Sequence, residues 1–97
     1  MIRHVVVFTW QPGTTAAQVA ALMDALAGLA RAVPEIRSYT YGPDAGLTDG
    51  AGDFAVVADF DDAEGWRAYD RHPEHDRIRA EHIRPIMATR TVIQFEA

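Results

Sequence analysis

The first ten residues of this 97-residue chain form a β-strand pattern that is apolar on both faces. Successive side chains of a strand point to opposite faces of the sheet. The even-numbered side chains share one face: Ile2, His4, Val6, Phe8 and Trp10. The odd-numbered side chains share the other: Arg3, Val5, Val7 and Thr9. Because both faces are largely apolar, the sequence predicts that both are covered.

A long helix is predicted over about residues 14–32, after a turn at residues 11–13. Thr14 or Thr15 is a suitable N-cap, and Pro34 ends the helix. Apolar side chains recur along one stripe at helical spacing: Val19, Leu22, Met23, Leu26, Leu29 and Val33. This stripe is expected to pack on the sheet.

Three more strands and two shorter helices follow. The strands are predicted at residues 36–41, 53–60 and 89–96. One short helix begins after Asp61 or Asp62, which are both good N-caps. The next begins at Pro73, which suits the first position of a helix, and runs to about Ile83.

The order β-α-β-β-α-α-β predicts one α+β domain over residues 1–97 with a ferredoxin-like fold and a four-stranded antiparallel sheet. The helices can cover only one face of the sheet, whereas the even-numbered residues of strands 1 and 3 are apolar and aromatic. A bare patch of this kind is unusual on a small domain. A second copy packed sheet to sheet would close a barrel, so we expect a homodimeric α+β barrel. A charge at Val6 or Val56 is expected to break this dimer or unfold the chain.

Composition limits the partners and the location that we expect. The formal net charge is −5 and no basic cluster is present, which argues against nucleic-acid binding. No run of about 18 apolar residues indicates a membrane segment, and the first residues lack a signal-peptide pattern. The absence of cysteine fits a cytoplasmic protein. Residues 42–52 contain four glycines and predict the most mobile internal loop, without a phosphate-binding motif.

Two side chains near the predicted helix break have the chemistry of a general acid–base site. His75 lies in the first turn after Pro73, where the helix dipole disfavours a charged imidazole. Tyr69 lies six residues earlier, so the two side chains can meet over the bend. A neutral histidine can take a proton from carbon while a tyrosine hydroxyl stabilises the enolate oxygen. The alternative is that His75 packs or caps and that Tyr69 fills the core.

The remaining histidines have simpler interpretations. His4 lies on a mostly apolar strand face, where it is either a satisfied core residue or part of a pocket. His72 is predicted to cap a helix or to be structural, and His82 is predicted to be solvated or to lie at the rim. No metal site is expected, because no carboxylate has an obvious ligand position near these histidines, and no cofactor is expected either.

Several segments of the chain carry a family resemblance. They are residues 2–8 with Pro12-Gly13, and residues 33–38, 59–62, 69–75, 83–86 and 92–96. The initial His-Val-Val-Val, together with His-Pro-Glu-His shortly after a tyrosine, is specific in combination. In these segments the chain resembles the stress-responsive A/B-barrel (Dabb) domain family over nearly its whole length. The resemblance implies a ferredoxin-like subunit in a homodimer, but it does not imply one activity.

One branch of that family resembles olivetolic acid cyclase, a cofactor-free polyketide cyclase whose pocket lies between the sheet and the long helix. Carried over to this chain, the resemblance implies a base at His75 and a tyrosine partner at Tyr69. The expected substrate-binding residues are His4, Val6, Phe8, Met23, Leu26 and Val56. The cyclase has aromatic residues on its long helix where this chain has leucines and a methionine, so the implied pocket differs in shape.

Two interpretations of function follow. In the first, the dimer is a cofactor-independent cyclase, lyase or isomerase that uses a histidine base on a small apolar keto or phenolic molecule. In the second, it is a non-enzymatic, stress-related structural dimer whose cavity results only from barrel closure. An elongated cavity that joins His4, Tyr69 and His75 would favour the first.

Overall fold

Four strands and three α-helices follow one another in the predicted order. In the computed structural model, which describes residues 1–97, the strands are β1 (Ile2–Trp10), β2 (Ile36–Pro43), β3 (Phe54–Phe60) and β4 (Met87–Glu96). The helices are α1 (Ala16–Ala32), α2 (Ala63–Asp70) and α3 (Pro73–Ile78), and a π-helical turn spans Arg79–Ile83. The strands form one antiparallel sheet in the order β2-β3-β1-β4. The predicted α+β, ferredoxin-like architecture is confirmed.

Side-chain contacts at the N-termini fix where the helices begin. The Thr15 hydroxyl oxygen accepts a hydrogen bond from the backbone N–H of Gln18, whose side chain accepts from the backbone N–H of Thr15. This capping box starts α1. Asp62 caps α2. His72 caps α3 through Nδ1, which accepts from the backbone N–H of Glu74 at 3.1 Å, as predicted for this histidine.

The helices cover the even-numbered face of β1. His4, Val6 and Phe8 lie on that face and are almost fully buried. The core between the sheet and the helices is built from large side chains of both layers: Leu22, Leu26, Leu29, Val33, Phe54, Phe60 and Ile78. The stripe predicted on α1 therefore packs on the sheet, because its central leucines are all buried.

The burial of this face corrects the expectation about where a second copy would bind. Val6 and Val56 are register partners on β1 and β3 and are 6% and 4% exposed beneath the helices. A charge at either position would disrupt the core of one chain and not a contact between two sheets. Alternation alone could not distinguish the two faces of β1, because both are apolar.

The opposite face of the sheet carries no helix. Five apolar side chains define this open face: Val5, Val7, Val57, Ile93 and Phe95. Val7, Ile93 and Phe95 are 37%, 58% and 44% exposed. At the edge of the open face, the guanidinium of Arg3 donates two hydrogen bonds to the Asp59 carboxylate, at 2.8 and 3.0 Å. This pairing lowers the pKa of Asp59.

A β-bulge near the start of β2 changes which residues face the helices. The register with β3 shifts between Ile36 and Ser38. Strict alternation would place Tyr39 on the face opposite Ile36, but the extra residue turns both toward the helices. The bulge therefore brings the ring of Tyr39 to within 5.9 Å of the ring of Tyr69, between centroids.

Several element boundaries differ from the sequence-based prediction. β2 extends to Pro43, two residues into the segment predicted as a loop, and β4 begins earlier, at Met87. The helix predicted to run to Ile83 is α-helical only to Ile78 and continues as the π-helical turn. None of the helices has the length and apolar character needed to cross a bilayer.

Candidate functional site

A cavity of about 240 Å³ lies between the helix-covered face of the sheet and the helices. Its apolar wall comes from both layers: Val6, Phe8, Leu22, Leu26, Val56, Ile83 and Met87. Its polar and aromatic wall consists of His4, Tyr39, Tyr69, Asp70, His75, Arg79, Arg84 and Arg90. This volume is large enough for a small organic molecule.

Seven of the eight site residues proposed from the sequence line this cavity: His4, Val6, Phe8, Leu26, Val56, Tyr69 and His75. The eighth, Met23, does not line it and lies partly buried against the core. Leu22 takes its place. Residues four apart share one face of an α-helix, so Leu22 and Leu26 both contact the cavity while Met23 lies beside it.

His75 is held in one tautomer by a backbone contact. Its Nδ1 lies 3.1 Å from the backbone carbonyl oxygen of Tyr69. A carbonyl oxygen can only accept, so Nδ1 carries the proton of the neutral ring and Nε2 keeps its lone pair. Trp66 Nε1 is the only fully buried side-chain nitrogen or oxygen without a partner. Nε2 of His75 also has no hydrogen-bond partner, but it is not among the fully buried atoms. It is therefore accessible.

The imidazole of His75 is uncharged near neutral pH. Burial lowers its pKa to about 4, and the positive charge of Arg79 acts in the same direction. Desolvation disfavours a charged imidazolium because the low-dielectric surroundings replace its hydration. The site therefore contains a neutral, oriented imidazole with one free acceptor nitrogen.

Tyr69 and Tyr39 form a pair of buried phenols. Their hydroxyl oxygens lie 2.9 Å apart, and the Tyr69 ring centroid lies 4.3 Å from that of His75. Burial raises the pKa of Tyr69 to about 12 and also raises the pKa of Tyr39. Both hydroxyls therefore stay protonated at neutral pH and can donate hydrogen bonds.

The neutral rings of His4 and His75 carry their protons on different nitrogens. The amide Nε2 of Gln94 donates to His4 Nδ1 at 2.9 Å, so the proton of the neutral ring is on Nε2. Burial is the main cause that lowers the pKa of His4 to about 4, and the nearby His75 and Arg90 act in the same direction. One histidine of the cavity thus offers an N–H donor, and the other offers a lone pair.

Three arginines contribute to the cavity wall. Arg79 is paired: its guanidinium donates to a carboxylate oxygen of Asp70 at 3.1 Å and of Asp76 at 2.7 Å. Arg84 and Arg90 have no carboxylate partner. No group of three or more histidine, aspartate or glutamate side chains stands close enough to hold a metal ion.

The sequence matches one family model over almost its entire length. The model is described as the Stress responsive A/B Barrel Domain (Dabb), and the match covers residues 2–97. The chain belongs to this family. The resemblance carried by the opening strand and by the His-Pro-Glu-His segment is therefore confirmed.

Solved structures similar to this A/B barrel domain share its fold. A dimeric ferredoxin-like protein from Thermobifida fusca YX is 44% identical, with 99% of this chain and 90% of that chain covered and a TM-score of 0.92. A Dabb family protein from Mesorhizobium loti is 18% identical, with coverages of 99% and 95% and a TM-score of 0.82. The hydroxynitrile lyase from Passiflora edulis is 16% identical, with coverages of 97% and 90% and a TM-score of 0.82. No curated protein sequence matches the chain.

The A/B barrel domain brings five polar lining residues to the cavity that sequence reasoning missed: Tyr39, Asp70, Arg79, Arg84 and Arg90. Tyr39 arrives there through the β2 bulge, and Arg79 and Arg84 through the π-helical turn. Arg90 lies on β4 opposite Phe8 of β1, so it shares the helix-covered face. The charge of Arg90 within an alternating strand was the one feature of the sequence that pointed to this residue. Which face of the sheet Arg90 occupies depends on the register between β4 and β1.

Proposed function

We propose that this chain is a homodimeric, cofactor-independent enzyme of the lyase, cyclase or isomerase type, acting on a small keto or phenolic molecule. The observation that carries the proposal is the oriented, neutral His75 in the wall of the cavity. Its Nδ1–H donates to the Tyr69 carbonyl oxygen, which leaves the Nε2 lone pair for the substrate. A structural barrel has no need for such an arrangement.

The proposed step is proton abstraction next to a carbonyl group. Nε2 of His75 takes the proton from the substrate carbon, and the electron pair of the C–H bond moves to the carbonyl oxygen as an enolate. The Tyr69 hydroxyl and the Nε2–H of His4 are the donors that would stabilise this oxygen. The enolate then expels a leaving group, attacks a second carbonyl or is reprotonated elsewhere, which distinguishes lyase, cyclase and isomerase.

The open face of the sheet supports the dimer. An uncovered apolar surface formed by Val7, Ile93, Phe95 and their neighbours is costly in water. The Thermobifida fusca protein, at 44% identity, is described as dimeric. A second copy packed against this face would cover it and leave the cavity, on the other side of the sheet, accessible.

A proton-exchange experiment tests the catalytic proposal without a known substrate. Small 1,3-diketones and hydroxyacetophenones are incubated with the protein in D₂O, and exchange at the carbon next to the carbonyl is followed by proton NMR. We expect His75→Ala to slow the enzyme-catalysed exchange roughly 10²–10⁴-fold, the usual contribution of a general base. Tyr69→Phe should slow it less, because only one hydrogen bond is lost.

His82→Ala is the matched control, since His82 does not line the cavity. If His75→Ala exchanges protons as fast as the unmodified protein, His75 is not the base. If none of the test molecules binds or exchanges, the enzyme interpretation fails and the non-enzymatic, stress-related dimer remains.

A further inference from the structure

The cavity is positively charged although the chain as a whole is acidic. The formal net charge of the chain is −5, yet the cavity wall contains Arg79, Arg84 and Arg90 against a single carboxylate, Asp70. Asp70 already accepts from Arg79. Both histidines of the wall are neutral. Arg84 and Arg90, which are solvent-exposed residues of the cavity wall, therefore have no counter-charge from the protein.

The π-helical turn places Arg84 at the cavity, and strand pairing places Arg90 there. The N–H of Arg84 donates to the carbonyl oxygen of Arg79 at 2.9 Å, an i→i+5 hydrogen bond. In a regular α-helix, residues five apart are rotated by about 140° at 100° per residue, and the wider π turn reduces this angle. Arg79 and Arg84 consequently line the same cavity. Arg90 reaches it from the sheet, because it pairs with Phe8 on the helix-covered face.

We propose that the cavity binds a small aromatic or keto carboxylic acid, with its carboxylate at Arg84 and Arg90 and its ring against Phe8, Leu26 and Val56. This inference rests on the proposed function and names the substrate class of the same site. Arginine matches a carboxylate through paired N–H donors. The apolar wall covers the ring, and the volume of about 240 Å³ admits a small molecule of this kind.

Binding of an anion would also change the electric field at the histidines. The arginine charges oppose protonation of both histidines, since Arg79 acts on His75 and Arg90 on His4. A bound carboxylate neutralises part of that field, and a nearby negative charge favours the imidazolium. A carboxylate at Arg90 would therefore offset part of the field on His4, whereas the pKa of His75 stays set mainly by its burial.

A matched pair of ligands tests the charge requirement. 2,4-Dihydroxybenzoate and its neutral analogue 2,4-dihydroxybenzamide have nearly the same shape, and their dissociation constants are measured by isothermal titration calorimetry at low ionic strength. We expect the acid to bind at least about tenfold more tightly than the amide, as charge-assisted hydrogen bonds allow. Arg84→Gln and Arg90→Gln should each reduce that preference about three- to tenfold, and the double variant should abolish it.

Arg31→Gln is the charge-matched control, because Arg31 is exposed on α1 and does not line the cavity. It should keep the preference. Equal binding of acid and amide overturns the inference and leaves the proposed keto or phenolic site intact. A preference that survives in the double variant overturns the assignment to these arginines. No binding of either ligand at millimolar concentration overturns the inference, whereas the proton-exchange experiment decides the proposed function.

Discussion

The backbone carbonyl oxygen of Tyr69 lies 3.1 Å from Nδ1 of His75, six residues further along the chain. Tyr69 is in the last turn of α2, where carbonyl groups lack partners within the helix. The break at His72 and Pro73 turns the chain back, so this oxygen accepts both from the His75 ring and from the backbone N–H of His72 at 3.2 Å. The end of one helix thus orients the candidate base at the start of the next.

The tautomer of His75 is the first prediction. At pH 7 its ring should be neutral with the proton on Nδ1, whereas the ring of His4 should carry its proton on Nε2. Long-range ¹H–¹⁵N NMR correlations of the imidazole nitrogens distinguish the two forms, and Tyr69→Phe should not change the result for His75, since it keeps the backbone carbonyl. A proton found on Nε2 of His75 would remove the acceptor on which the proposed mechanism depends.

The dependence of stability on pH is the second prediction. Histidine has a pKa of about 6.5 in an unfolded chain, but burial lowers the pKa of His4 and His75 to about 4 in the fold. Between these values the unfolded chain binds more protons, so the free energy of unfolding rises as the pH rises from about 4 to about 6.5. Above about pH 6.5 the two histidines no longer make the free energy of unfolding depend on pH. The shift corresponds to about 3 kcal/mol for each ring taken alone.

Urea denaturation at fixed protein concentration, repeated from pH 4 to pH 8, measures this slope. His75→Gln should make it shallower by removing one titrating group. The Arg3–Asp59 pair lowers the pKa of Asp59 below its usual 3.8, so its contribution is lost only at a lower pH than this window. A flat curve between pH 4 and pH 6.5 would show that the two histidines titrate normally in the folded protein.

The order of elements and most of the cavity followed from the sequence, because hydrophobic periodicity is a local property. Leu22 and Leu26 on α1, and Val6 and Phe8 on β1, are each fixed by the spacing within one element. The face of β1 covered by the helices was not fixed in this way, since Val5 and Val7 are as apolar as Val6.

The polar residues missed in the cavity depend on irregularities that no periodic pattern contains. The bulge between Ile36 and Ser38 decides the face of Tyr39, and the π-helical turn decides the direction of Arg84. Such irregularities result from long-range packing against other elements. They often occur at functional sites, because they turn particular side chains away from the regular direction.

The packing of α1 gives the third prediction. Leu26 is 2% exposed between the helix and the sheet, so Leu26→Ala should lower the free energy of unfolding by about 2–5 kcal/mol. Met23→Ala is the comparison on the same helix and should cost less, because Met23 is only partly buried. Urea denaturation measures both. A loss below about 0.5 kcal/mol for Leu26→Ala would mean that the helix stripe does not pack as described.

The segment between β2 and β3 gives the fourth prediction. Gly46 and Gly50 have φ values of +76°, a conformation that favours glycine. The end of this segment next to β3 is held to β1, because the backbone N–H of Asp53 donates to the carbonyl oxygen of Phe8 at 2.8 Å. Amide hydrogens at residues 45–51 should therefore exchange faster than those of any strand. Mass spectrometry after brief exchange in D₂O measures this, and protection equal to that of β3 would contradict the prediction.

The open face of the sheet gives the last prediction. Ile93 is 58% exposed on this face in the isolated chain, so Ile93→Asp would place an unpaired charge in the proposed dimer contact, where desolvation is costly. We expect light scattering at micromolar concentration to give twice the 10.7 kDa chain mass for the unmodified protein and about one chain mass for the variant. Ala20→Asp adds the same charge on the exposed side of α1 and should stay dimeric. Because Ile93 lies outside the helix-covered core, circular dichroism should show that the variant remains folded. A variant that keeps the full dimer mass would place the contact on another surface.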